Sequence, residues 1–167
     1  PNLTFSASGE EKDMFTATVI KYNFLINLTI LFFLVIFGKL MVFILYGSEY
    51  IQAYYIFLIL APGLLLDSIG RNVATWLKSE GKPLILSWVS FGTLILNIIC
   101  NFLLIPNYGL YGAAFSSLIS YIIRGVILFT IYRKYTGIKA SYFFLWSKQD
   151  FNQIFVRARS VISSFSN

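Results

Sequence analysis

The chain has 167 residues, of which 57% are hydrophobic and only 12% charged, and its mean hydropathy is +0.74. Soluble domains carry roughly a quarter of their residues as charges, so this composition points to lipid as the solvent. The absence of His and the presence of one cysteine, Cys100, exclude a zinc cluster, His-based acid–base chemistry and an internal disulfide.

In chain order, residues 1–16 are polar, with Glu10, Glu11, Lys12 and Asp13, and read as a cytoplasmic connector or a helix start outside the membrane. The sequon Asn2-Leu3-Thr4 falls on that same side and is read as chance. No charge lies between Lys21 and Lys39, between Glu49 and Asp67, or across the 41 residues between Lys82 and Arg124. A bilayer core needs about 20 mostly apolar residues per helix. The pattern predicts an all-α membrane protein with four spans, at about 17–37, 51–77, 84–105 and 110–132, within a transmembrane region of residues 17–135. Residues 40–47 extend span one as far as Gly47-Ser48 and are too short to cross alone. Ser79-Glu80-Gly81-Lys82-Pro83 separates spans two and three, and Pro106-Asn107-Tyr108-Gly109 is a tight turn between spans three and four. Pro62-Gly63 is expected to kink span two, since an interior proline removes a backbone hydrogen bond. Residues 136–167 read as a cytoplasmic tail in which Phe144, Phe151, Ile154, Phe155, Ala158, Val161, Ile162 and Phe165 recur at helical spacing, as in an amphipathic helix on an anionic leaflet.

The formal charge of +6 is distributed around the spans. Lys12, Lys21, Lys78, Lys82, Arg133, Lys134, Lys139, Lys148, Arg157 and Arg159 fall on one side and Lys39 on the other. This bias puts both termini in the cytoplasm and argues against nucleic acid as the partner. The chain opens at Pro1 without a signal-peptide pattern and reads as a piece of a longer protein.

Each span also carries a polar stripe, because residues three and four apart share a helix face. The stripes are Asn23 and Asn27; Gly63, Asp67, Arg71, Ala74 and Lys78; Ser90, Thr93, Asn97 and Asn101; and Ala113, Ser117, Ser120 and Arg124. Small residues and amides serve helix packing as readily as function, and Cys100 in its apolar run is read as a small hydrophobe. Charges within spans are costly and mark sites. Asp67 and Arg71 form an i,i+4 pair, open to a local salt bridge or to cavity lining. Arg124 either pairs with Asp67, which makes it structural, or faces a polar cavity; the cavity is the favoured expectation. The face is net positive and suits an anionic, phosphate-bearing ligand. No nucleotide loop, carboxylate pair or nucleophile–base set appears, so no enzyme, cofactor or metal is expected.

Four segments carry a family resemblance: Leu45-Tyr46-Gly47-Ser48-Glu49-Tyr50, Leu60-Ala61-Pro62-Gly63-Leu64-Leu65, Gly81-Lys82-Pro83-Leu84-Ile85, and the run from Asn97 through Asn101, Pro106, Tyr108 and Gly109 to Ala114. In order and spacing they resemble the Wzx-type polysaccharide flippases of the multidrug/oligosaccharidyl-lipid/polysaccharide exporter superfamily. The resemblance implies a two-lobed fold of 12–14 helices, of which this chain would be the last four. It also implies flipping of undecaprenyl-diphosphate-linked oligosaccharide across the bacterial inner membrane, for O-antigen or capsule. The implied partners are the bilayer, the lipid-linked oligosaccharide, the remaining helices of the transporter, and polysaccharide polymerase or glycosyltransferases. Arg124, Arg71, Lys39 and Asp67 become cavity candidates by position and charge. The alternatives are a drug/cation antiporter of the same superfamily, coupled through Asp67, and a non-transporting membrane scaffold or truncated product.

Overall fold

The computed structural model describes residues 9–139 and 141–144. Over these residues the chain is helical, without strands. Helix α1 spans Gly9–Tyr46, a 3₁₀ turn follows at Ser48–Tyr50, and α2 spans Ile51–Ser79. The helical run Pro83–Thr136 is 54 residues long and is broken at Gly109, where φ is 54° and ψ −129°. That conformation lies in the mirror-image β region, which glycine reaches because it has no Cβ. The break divides the run into α3 (83–108) and α4 (110–136). A short helix, α5, spans Ser141–Phe144.

Among the described residues, three helical stretches are long and apolar enough to cross a bilayer: Lys12–Tyr46, Ser48–Ser79 and Pro83–Thr136. The third folds back on itself. Gly112 lies so close to the Leu104 carbonyl that no Cβ would fit there, and Lys82, just before α3, places its ammonium 3.8 Å from the centre of the Tyr135 ring near the end of α4. Residues paired across Gly109 in this way require α3 and α4 to run antiparallel, so four helical legs stand side by side. The expected turn at 106–109 is narrower than the sequence suggests. Pro106, Asn107 and Tyr108 remain helical, and the reversal is concentrated at Gly109.

Helical backbone satisfies its own hydrogen bonds, as hydrocarbon demands. The hydroxyls follow the same rule: Thr16, Thr29, Thr93, Ser116, Ser120 and Thr130 each donate to the carbonyl four residues back. Helix α2 lies between α1 and the α3–α4 pair. Lipid provides no hydrophobic drive between helices, so close packing must hold them together. The α2–α4 seam achieves this with glycines. Gly63 lies against Leu118 and Tyr121, Gly70 against Leu128 and Gly125, and Gly125 against the Leu66 carbonyl. The outer face of α3 carries the exposed side chains Leu84, Trp88, Phe91, Ile95, Ile98 and Phe102, the last of them 81% accessible. This spacing keeps a purely apolar stripe on the lipid side.

At the basic end the helices are tied together. Ala17, Ile20, Val73, Trp76, Leu77, Leu128 and Tyr132 form a buried cluster from three helices, and Tyr142 and Phe143 of α5 pack onto it. Trp76 Nε1 donates to Asp13 Oδ1 at 2.8 Å, Tyr132 Oη donates to the Asp13 carbonyl at 2.7 Å, and Lys12 pairs with Glu80. The polar N-terminal residues from Gly9 onward are thus the first turns of α1. Most of the tail expected over 136–167, namely residue 140 and residues 145–167, lies outside the described residues, as does the sequon at 2–4.

Candidate functional site

The site starts from the glycine seam. Gly63 and Gly70 stand one turn to either side of Asp67, and Gly125 directly follows Arg124. The close approach of α2 and α4 brings Asp67 and Arg124 into contact. Asp67 is 5% exposed. Its Oδ1 accepts from Arg124 Nη1 at 3.2 Å, and its Oδ2 lies 3.7 Å from Arg71 Nε, one turn on. A buried carboxylate is tolerated when it is paired and hydrogen-bonded. Here two guanidiniums face one carboxylate, so the cluster carries a net charge of +1 from these three side chains. The Arg71 side chain is 59% exposed and that of Arg124 28%.

Arg124 also forms part of the wall of a cleft of about 360 Å³ between α3 and α4. Ser90, Thr93, Leu94 and Asn97 line it from α3, and Ser117, Ser120, Tyr121 and Arg124 from α4. It is an open cleft rather than an enclosed pocket. Thr93 and Ser120 spend their hydroxyl protons on their own helices, at 3.0 and 2.9 Å. Asn97 Oδ1 accepts from Asn101 Nδ2 at 2.9 Å. Arg124 Nε is buried and meets no acceptor among the described residues. Leaving such a donor unmet costs about 1–3 kcal/mol. The lining contains donors and one cation but no carboxylate, the chemistry of an anion site.

Asp67, Arg71 and Arg124, singled out from sequence, therefore come together. Arg124 pairs with Asp67, the alternative not favoured from sequence, and it also forms part of the cleft wall. Of the four cavity candidates only Arg124 lines the cleft: Lys39 stands exposed on α1, and neither it nor Asp67 nor Arg71 is among the lining residues. Helix α2 continues through Pro62, and Gly63 sits in a close contact with Leu118 and Tyr121. The stripes Ser90-Thr93-Asn97 and Ser117-Ser120-Arg124 face one another as the two walls. Sequence reasoning missed Tyr121 and Leu94, although Tyr121 lies four residues after Ser117. It also missed the bond between Asn23 on α1 and Asn72 on α2, at 3.2 Å.

No family model matches the chain, and no solved structure matches it significantly. Among curated proteins it is 27% identical, over 111 residues, to a probable low-salt glycan biosynthesis flippase of Haloferax volcanii, a match covering 66% of this chain and 24% of the relative. It is 32% identical, over 97 residues, to the capsular polysaccharide biosynthesis protein CapF of Staphylococcus aureus, a match covering 58% of this chain and 24% of the relative. The chain thus spans about a quarter of the length of the curated relatives it matches. Over those stretches it is similar to proteins named for glycan and capsular polysaccharide biosynthesis, one of them as a probable flippase.

Proposed function

We propose that this chain forms part of a flippase that moves an undecaprenyl-diphosphate-linked oligosaccharide across the bacterial inner membrane, with the α3–α4 cleft contributing to the path of the diphosphate. The observation that carries this reading is Arg124, a guanidinium held at the side of a donor-lined cleft within membrane-length helices, in a cluster of net charge +1. Arginine suits a diphosphate because its planar fork can donate two parallel hydrogen bonds. The two relatives named for glycan and capsular polysaccharide biosynthesis support a polysaccharide-related transport role. In this reading the basic end of the bundle faces the cytoplasm, both termini lie there, and the remaining helices of a two-lobed transporter complete the cavity. A drug/cation antiporter coupled through Asp67 is less favoured, because two guanidiniums already engage that carboxylate.

The test is polymer export by the full-length protein in cells. Arg124→Ala should lower export by about 10- to 100-fold at matched membrane abundance, the equivalent of one or two charge-assisted hydrogen bonds. Arg124→Lys should retain part of it, since the charge persists without the fork. Full export by Arg124→Ala at unchanged abundance would remove the proposal.

A further inference from the structure

Resting on the anion-cleft reading, the geometry points to Asp67 as a shared counter-ion and to Arg71, outside the cleft, as the positioning residue that lets Arg124 turn from Asp67 to the anion. Asp67 has two oxygens with different partners. Oδ1 is hydrogen-bonded to Arg124 at 3.2 Å, while Oδ2 sees Arg71 Nε at 3.7 Å, within ion-pair range but longer than a hydrogen bond. An ionised carboxylate offers about four acceptor positions, so room remains for a second guanidinium. Arg71 is mostly exposed and can move, whereas Asp67 is 5% exposed and held in the glycine seam.

An anion entering the cleft competes with Asp67 for Arg124. If Arg124 left with nothing to replace it, Asp67 would remain as a buried, uncompensated charge, which is strongly unfavourable. Arg71 is already one short movement from Oδ2. By closing onto Asp67 it takes over the neutralisation and frees Arg124, whose buried Nε lacks an acceptor among the described residues. Arg71 would thus raise anion affinity without touching the anion. The alternative is that Arg71 acts only through its long-range positive field. The two differ in one respect: a handover needs Asp67, and a field does not.

The experiment is a double-mutant cycle on the full-length protein in nanodiscs. Binding of inorganic pyrophosphate is measured by calorimetry, with melting temperatures recorded in parallel. Arg71→Gln should weaken binding by about tenfold, within the range for contacting charges, and Arg71→Lys should recover most of the loss. With Asp67→Asn already present, Arg71→Gln should change the affinity by less than about twofold. Asp67→Ser closes the same cycle should Asp67→Asn fold poorly. An equal loss in both backgrounds, or no loss on Arg71→Gln, would overturn the handover. Wild-type protein that fails to bind pyrophosphate, or binding indifferent to Arg124→Ala, would instead refute the cleft reading on which the inference stands.

Discussion

The glycine seam between α2 and α4 can be tested at two positions that differ in one geometric detail. A Cβ added at Gly125 would sit 2.5 Å from the Leu66 carbonyl oxygen, where ordinary contact begins at 3.4 Å. The obstacle is backbone and cannot swing aside, so the helices must part by roughly 0.9 Å at that point. A separation of that size would lengthen the Arg124–Asp67 contact from 3.2 Å toward 4 Å, beyond hydrogen-bonding range. Overpacking costs about 1–3 kcal/mol, and Ala recovers up to about 1 kcal/mol of helix propensity over Gly. With the weakened ion pair included, Gly125→Ala should destabilise the bundle by about 2 kcal/mol. At Gly70 the added Cβ would meet the flexible Leu128 Cδ1 at 3.3 Å and the Gly125 Cα at 3.5 Å. There the propensity gain offsets a small adjustment, and Gly70→Ala should fall within about 0.5 kcal/mol of the parent. Reversible SDS unfolding in bicelles, followed by tryptophan fluorescence, reads both. Equal effects at the two positions would refute the close-packed seam as the device that sets the Asp67–Arg124 contact.

Three further outcomes follow from the same geometry. Trp76→Phe keeps an aromatic ring against Tyr132 but removes the donor to Asp13, and should cost about 1–2 kcal/mol in the same unfolding assay; an unchanged midpoint would show that the basic-end tie carries no stability. Gly109→Ala meets no neighbour within 4 Å, so its expected loss of about 1–3 kcal/mol is purely conformational, whereas Gly92→Ala, equally open but helical, should be neutral or stabilising. In a Cys100→Ala background, cysteines placed at Lys82 and Asn107 should label from opposite sides of the membrane in intact cells, with position 107 reached from outside; strong external labelling at position 82 would overturn the orientation.

Much of this architecture can be read from the residues. Long charge-free runs specify helices because lipid leaves the backbone no other partner, and three- and four-residue spacing assigns Ser90, Thr93 and Asn97, or Ser117, Ser120 and Arg124, to common faces. Periodicity places residues on a face but does not say which faces meet. It therefore left Arg124 divided between pairing and cavity, and the pairing rests on the Gly125–Leu66 approach, which periodicity does not show. The role of Asp13 was illegible for a different reason. A polar segment reads as lying outside the membrane, yet nothing between Gly9 and Ala17 breaks a helix, so α1 begins early and carries Asp13 to Trp76 and Tyr132. The reversal at 106–109 looked like four turn residues because Pro, Asn and Gly cluster there, but three of them remain helical and Gly109 alone leaves the helix.

The central claim is that the α3–α4 cleft is a water-reached site for an anion, and thiol chemistry at Ser117 tests it most directly. In full-length protein carrying Cys100→Ala and Ser117→Cys, the rates of modification by a negatively charged sulfonate and a positively charged ammonium methanethiosulfonate are compared, with and without lipid-linked oligosaccharide diphosphate. With Arg124 beside the cleft, the sulfonate should react faster, Arg124→Gln should abolish that preference, and the lipid-linked substrate should slow both reagents. A thiol at position 117 that stays unreactive, or one that shows no charge preference and no protection, would contradict the account.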